Sequence, residues 1–346
     1  MDLAHLDWIS RKRVLVTGGA GAIGSNLTKV LLSLGCPVVI VLDDLSASPR
    51  WNLPEFHNLL FVEGDVVDEA VLKRVFTEAP EVVFHLAAFF ANQNSVDYPE
   101  RDLITNGLGT LRVLEYSVMS RGVERFVYAS SGCSIYGDEA PLPLREEYTS
   151  THLSTPYQIT KMLGELYCNF FHHHYGLKTV KARFFNSYGP GEVPGQYRNV
   201  IPNFIYWAMQ GKPLPMTGTG EETRDFTYVD DLVDGLLRAA YYDVAVGREY
   251  NLSGDAEIRI LDLADMVNRL TGNTAGVRHL PRRKWDTKTR IKASIERARQ
   301  ELGYEPKVPF EEGLRRTVQW FRDNWDRIVQ AASFGPGMSS AVREQW

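Results

Sequence analysis

Eight residues near the start of the chain, Thr17-Gly18-Gly19-Ala20-Gly21-Ala22-Ile23-Gly24, join two stretches of different texture. Residues 14–16 are an unbroken apolar run, which suits a strand. After the glycines, Ile23, Leu27, Leu31 and Leu34 fall on one helical face, and Gly35 supplies a stop. A glycine-rich turn between a strand and a helix lets the backbone approach an anion closely and sets that anion at the positive helix end. The junction demands a layered α/β architecture.

The rest of the first half repeats that alternation. Apolar or β-branched runs recur at 38–42, 59–62, 82–86, 126–128 and 179–185, separated by helical patterns. Runs without polar alternation suit strands covered on both faces, as in a parallel sheet, and alternating helices imply right-handed crossovers. The expected fold is α/β, a doubly wound parallel sheet of the Rossmann type with a smaller C-terminal α/β substrate lobe. Residues 1–185 are expected to form the dinucleotide-binding domain, with a stretch around 225–255 returning to it. From about Asn186 the texture changes: Pro190, Pro194, Pro213, Pro215 and several glycines mark loops, so a substrate lobe is expected over 186–332. The small, polar tail 333–346 is expected to be partly disordered.

Charge and composition exclude several classes. The 38 basic and 43 acidic side chains leave a formal charge of −5, without the basic balance of a nucleic-acid binder. No apolar run approaches the ~20 residues that cross a bilayer, and the N-terminal residues lack the basic, then apolar, order of a secretory signal. Cys36, Cys133 and Cys168 are too few and too scattered for a disulfide framework or a CxxC metal site. A soluble, cytoplasmic protein without a metal is expected.

Three local patterns suggest chemistry. Asp43-Asp44 ends the second strand, 19 residues past Gly24, where a carboxylate can bond ribose hydroxyls and repel a 2′-phosphate, favouring NAD over NADP. Nearby Arg50 could blunt that preference. Tyr157-Gln158-Ile159-Thr160-Lys161 places a phenol and an ammonium one helical turn apart. Bringing a phenol from its usual pKa of about 10 to near 7 takes about 4 kcal/mol of preferential phenolate stabilisation, which a neighbouring cation supplies. Ser130-Ser131 closes the strand at 126–128, the carboxyl edge where parallel sheets present functional groups. Cys133 and Ser134 read as filling of the following turn.

Taken in order, the glycine string, Asp43, Gly64-Asp65-Val66, His85-Leu86-Ala87-Ala88, Thr105-Asn106, Ser130-Ser131, Tyr136-Gly137, the Tyr157 to Lys161 motif, Arg183-Phe184-Phe185-Asn186 and Arg224-Asp225-Phe226 resemble extended short-chain dehydrogenases/reductases of the nucleotide-sugar epimerase/dehydratase group. The resemblance covers about residues 12–325 and implies NAD as cofactor, held by Gly18, Gly21, Ala22, Ile23, Gly24, Asp43, Asp65, Val66, Leu86, Ala87, Ala88, Asn106, Ser130, Tyr157, Lys161 and Phe184. It implies that Tyr157 is the base, Lys161 its tuning partner, and Ser131 a hydrogen-bond donor to the sugar. It further implies a nucleotide-sugar site built from Asn186, Asn199, Val200, Arg224, Arg283 and Asp286, with the two arginines clamping the diphosphate.

In such enzymes the sugar 4-hydroxyl is oxidised transiently to a 4-ketone. The resemblance associates 4,6-dehydration and decarboxylation with an acid after the catalytic serine or threonine. Here that string is Ser130-Ser131-Gly132-Cys133-Ser134-Ile135-Tyr136-Gly137, one residue longer than usual and without a carboxylate. The expected reaction is therefore 4-epimerisation of a UDP-hexose or UDP-hexuronate, including N-acetyl relatives. UDP-glucuronate decarboxylation and 4,6-dehydration are the enzymatic alternatives, and an NAD-binding regulator is the non-enzymatic one. Phe89-Phe90 depart from the polar residues usual at that point, and Asn92, Gln93 and Asn94 could bond a sugar substituent. The resemblance also implies a homodimer through helices at 102–120 and 156–175, with Leu103, Leu111, Leu114 and Val118 facing either the partner or the sheet. His172-His173-His174 read as helix-end polar residues, since consecutive helical positions diverge by about 100°.

Overall fold

The computed structural model describes residues 3–254 and 256–341. Strands β1 (Arg13–Thr17), β2 (Val38–Asp43), β3 (Leu59–Glu63), β4 (Val82–His85), β5 (Arg125–Ser131) and β6 (Thr179–Phe184) are joined by β11 (Glu249–Leu252) in one seven-stranded sheet. Its order is β11-β6-β5-β4-β1-β2-β3, and every pairing is parallel. The order in which successive strands are added reverses between β1 and β4, which opens a crevice at the carboxyl edge of the sheet.

Helices cover both faces, which is why the strands read as continuous apolar runs. One face packs Leu27, Leu31, Leu232, Leu236 and Leu302 against Val14, Val16, Val39 and Val127. The other packs Leu72, Val75, Val113, Leu114, Cys168 and Phe171 against Leu15, Ile40, Val83 and Phe126. The chain leaves the sheet after β6, returns through the helix Val229–Tyr241 and β11, leaves again, and returns with the helix Glu296–Leu302. That second return, within 186–332, lies outside the stretch the sequence singled out.

The remaining strands pair two by two beside the sheet: β7 (Ser187–Tyr188) with β10 (Thr227–Tyr228), β8 (Leu214–Thr217) with β13 (Val277–Leu280), and β9 (Thr223–Asp225) with β12 (Glu257–Arg259). A separate core of Phe204, Ile205, Leu263, Val267, Leu314, Val318 and Phe321 holds this lobe together.

Two further expectations need correction. The tail packs rather than frays as far as residue 341: Phe334 lies against Tyr206 and Trp207, and Ser339, Ser340 and Ala341 are buried. Residues 342–346 lie outside the described residues. The segment at 102–120 is not one regular helix; a short helix at Pro99–Asp102 passes through a π-helical stretch, Leu103–Gly109, into Thr110–Met119. Its Leu114 is core against the sheet, whereas Leu103, Ile104 and Leu108 are exposed beside Ile159, Leu166 and Phe170 of Pro156–Tyr175. In that helix's last turn, His172 bonds the Leu177 carbonyl and His174 stacks on Phe170. No helix among the described residues is long and apolar enough to cross a membrane.

Candidate active site

A cleft of about 1020 Å³ runs along the carboxyl edge of the sheet and under the second lobe. That exceeds the usual 300–1,000 Å³ of a pocket for one small ligand and leaves room for two nucleotides. At its floor, Gly18 turns with φ +70°, and a Cβ there would lie 2.7 Å from the Ala87 nitrogen. A Cβ on Gly24 would lie 2.2 Å from the Gly18 carbonyl oxygen. Only glycine permits this close crossing of β1, the turn and the helix Ala22–Ser33. That helix has no side-chain cap at Gly21, so its first-turn amides remain available to an anion. The bare cradle and free helix end fit a pyrophosphate.

At the end of β2, Asp43 accepts the backbone amides of Ala20 and Leu45, each at 2.9 Å, which fixes the carboxylate toward the cleft. Burial raises its pKa despite those bonds. Arg50 does not line the cleft; its guanidinium lies over Phe61 and donates to the Leu53 carbonyl. The arginine that approaches Asp43 is Arg198, with Glu192 beside it, a pair the sequence gave no reason to single out.

The reactive centre is built on Pro156–Tyr175. Thr155 caps this helix by accepting the Gln158 amide, and Pro156 occupies its first turn. Gly164 lets the helix lie directly on β5: a Cβ there would sit 2.1 Å from the Tyr128 hydroxyl oxygen. Tyr157 and Lys161 are thereby pressed against the end of β5, both buried. The Lys161 ammonium donates to the Ala129 carbonyl at 2.9 Å and lies 5.6 Å from the Tyr157 ring centre. Burial lowers the Lys161 pKa to about 8, against the opposing pull of Asp102. Burial likewise pushes the Tyr157 phenol upward, as does Asp102, while a hydrogen bond with Ser131 draws it down. The protein environment alone therefore does not bring the phenol near neutrality; added positive charge has to do so. His85, below the site, is held neutral by burial and by Lys161, its pKa falling to about 3.

The serines divide. Ser131 bonds Tyr157 and donates to Ser134 at 2.9 Å, so Ser134, read from sequence as filling, is a second buried hydroxyl in the cleft. Ser130 lines the cleft, but its hydroxyl donates to Glu165, which also holds Arg183. Gly132 is compulsory, since a Cβ would lie 2.0 Å from the Phe185 ring. Phe90 meets Tyr157 edge-on at 6.1 Å, walling the centre on its open side.

Across the cleft, Arg224 bonds Asp286 at 3.3 Å and the carbonyls of Thr223 and Lys288. Arg283 lies over the Trp285 ring and donates to Ser339 of the tail. Trp285 in turn donates to Gln93 at 2.8 Å. Asn186 donates to the Asp225 carbonyl, and Asn199 and Val200 open the helix Val200–Met209.

Of the residues expected at the site, Gly18, Gly21, Ala22, Ile23, Gly24, Asp43, Asp65, Val66, Leu86, Ala87, Ala88, Ser130, Ser131, Tyr157, Lys161, Phe184, Asn186, Asn199, Val200, Arg224, Arg283 and Asp286 line this one cleft. Asn106 does not. Its amide clasps both backbone groups of Phe89, at 2.7 and 3.2 Å, and bonds Asp102. It holds the loop that carries the aromatic wall, a contact that only the folded chain creates.

Comparison with known proteins agrees with this geometry. The sequence signature described as "NAD dependent epimerase/dehydratase family" matches residues 14–253. The chain is 35% identical to the UDP-glucose 4-epimerase of Mycolicibacterium smegmatis, over 90% of this chain and 99% of that one. It is 34% identical to UDP-glucuronic acid decarboxylase 1 of Xenopus tropicalis, over 90% and 72%. The solved structure of the epimerase Mth375 from Methanothermobacter thermautotrophicus superposes with a TM-score of 0.94 at 55% identity, covering 96% and 99%.

Proposed function

The chain belongs to the NAD dependent epimerase/dehydratase family, and from that premise we propose that it is a UDP-sugar 4-epimerase, acting on a hexose or hexuronate through a transient 4-keto sugar. The observation that carries this reading is the absence of an acid on the turn that faces the base; Asp102, the carboxylate nearest to Tyr157 and Lys161, is buried behind them, bonded to Asn106 and Thr160, and does not line the cleft. Among the described residues, the carboxylates lining the cleft are Asp43, Asp44 and Asp65 at the ends of β2 and β3, Glu192, Glu222, Asp138 and Asp286. Asp286 is paired to Arg224, and Asp138 accepts a hydrogen bond from Thr287. The turn facing Tyr157 offers only the hydroxyls of Ser131 and Ser134 and the Cys133 thiol. Eliminating water across C5 and C6 requires an acid for the leaving hydroxyl, and this turn has none.

NAD, when bound, supplies the oxidising equivalent that removes hydride from the sugar and returns it. The protein's part is to hold and discharge protons. Tyr157 accepts the proton of the 4-hydroxyl, Ser131 orients that oxygen, and Ser134 fixes the Ser131 hydroxyl from behind. Lys161 keeps positive charge beside the phenol. Gly18, Gly21, Ala22, Ile23 and Gly24 cradle the pyrophosphate, Asp43 takes the ribose, and Asp65 and Val66 the adenine. Leu86, Ala87, Ala88, Phe184 and the backbone at Ser130 wall the nicotinamide half. Arg224 and Arg283 hold the sugar diphosphate, with Asn186, Asn199, Val200 and Asp286 around the nucleoside. The exposed strip of Leu103, Ile104, Leu108, Ile159, Leu166 and Phe170 supports a homodimer.

The test is incubation with UDP-hexoses and UDP-hexuronates, followed by NMR of the products. A 4-epimer is expected. A pentose with carbon dioxide, a 4-keto-6-deoxy sugar, or stoichiometric NADH with a stable oxidised sugar would each replace the reading. Tyr157→Phe is expected to abolish turnover while NAD binding persists.

A further inference from the structure

Lys288 lies in the segment between β13 and the helix Glu296–Leu302, lines the cleft, and has no part in the roles above. Its ammonium donates to the carbonyl of Cys133 at 3.0 Å, on the turn between the Ser131 and Ser134 hydroxyls. The Cys133 thiol is in electrostatic reach of Tyr157 on one side and of Lys288 and Arg224 on the other. Lys288 thus reaches the turn that carries Ser131, the hydrogen-bond partner of Tyr157, while its own carbonyl accepts from Arg224 at 3.2 Å.

The charged groups facing Lys288 are Asp138, Asp286 and Arg224. Asp286 is spent on Arg224, Asp138 takes the Thr287 hydroxyl, and among the described residues neither forms an ion pair with Lys288. One of the three ammonium donors is used, and two remain beside the space a sugar ring would fill. A half-buried lysine without a direct counter-ion is costly to keep unless a ligand supplies one.

We propose that Lys288 is a specificity residue that binds a carboxylate on the sugar ring, so that the substrate is a UDP-hexuronate. The proposal rests on the 4-epimerase reading, which puts the reacting C4 at Tyr157 and the C1 diphosphate at Arg224. The ring substituents then lie between these two points, where Lys288 sits. A carboxylate held this way also resists loss as carbon dioxide. Decarboxylation moves negative charge from the carboxylate into the ring enolate, so a cation on the carboxylate stabilises the ground state more than the transition state.

The test uses the full chain with NAD, comparing wild type, Lys288→Met and Lys288→Arg on UDP-glucuronate, UDP-galacturonate, UDP-glucose and UDP-galactose. Both kcat/KM and calorimetric Kd are measured. Wild type is expected to favour the hexuronates. In Lys288→Met the hexuronate-to-hexose ratio should fall about tenfold or more, the loss of one charge-assisted hydrogen bond, and Lys288→Arg should restore much of it. An equal loss on all four sugars would make Lys288 a phosphate ligand and overturn the proposal. A wild-type preference for neutral hexoses, or an unchanged ratio, would also overturn it. If no 4-epimer forms with any sugar, the enzymatic reading falls by itself, while the calorimetric ratio still decides the role of Lys288.

Discussion

Lys161 is the residue whose replacement separates stability from catalysis most cleanly. Its side chain is 3% exposed, and burial lowers its pKa from 10.5 to about 8. The unfolded chain therefore holds this proton more tightly than the folded one, and folding is opposed wherever the lysine is charged. At about 1.4 kcal/mol per pKa unit, the cost near pH 7 is about 3 kcal/mol. The direction follows from linkage: the penalty is full below about 8 and is relieved as pH rises from there toward 10.5. Between pH 7 and about pH 9.5 the wild type should gain about 2 kcal/mol from this group. Lys161→Met removes the titration while keeping most of the stem. It also removes the bond to the Ala129 carbonyl, at a pH-independent cost of about 1–3 kcal/mol. Urea unfolding of nucleotide-free wild type and variant at the two pH values isolates the titrating part as a change in their difference. The wild type should gain on the variant by about 2 kcal/mol, while the variant loses turnover at both. A difference that stays within about 0.5 kcal/mol would mean that Lys161 keeps an ordinary pKa, and the account of a strained, poised ammonium would be refuted.

Asp43→Ala should weaken NAD and narrow the gap to NADP in a fluorescence titration. It should also cost about 1–3 kcal/mol of stability, because the Ala20 and Leu45 amides lose their acceptor; unchanged cofactor discrimination would remove Asp43 from the ribose site. Gly164→Ala forces the helix away from Tyr128 and should lower stability by about 1–3 kcal/mol in thermal unfolding, with kcat falling as Tyr157 and Lys161 shift. Full activity in that variant would show that the helix seat is not what positions the pair. A chain ending at residue 332 frees Arg283 from Ser339 and should raise KM for the UDP-sugar while leaving NAD affinity intact; a KM equal to the full chain's would exclude the tail from the substrate side.

The sequence makes legible whatever is written locally. Strands covered by helices on both faces have no polar alternation, so 38–42 and 126–128 announced a parallel sheet. The glycine turn and the Tyr157 to Lys161 spacing are complete within a few residues, and backbone geometry alone gives them meaning. Misreadings arose where a side chain's role is set by a partner far along the chain. Asn106 looks like a cleft amide until the fold brings Phe89 against it, 17 residues away. Asp286 and Arg224, 62 residues apart, also meet as a pair, a contact that nothing local in the sequence announces. Lys288 was hidden in a basic stretch whose charges look interchangeable on paper. The fold distinguishes them: Arg283 covers Trp285, whereas Lys288 reaches the turn beside the base. The same holds for the serine turn, which the resemblance implies to be one residue longer than usual. With Gly132 pressed against Phe185, the turn brings Ser134 back to Ser131 and presents the Cys133 carbonyl to Lys288. That one turn carries both the paired hydroxyls and the anchor for the cation, so the choice of sugar proposed above is tested at Lys288 rather than at Arg224 and Arg283.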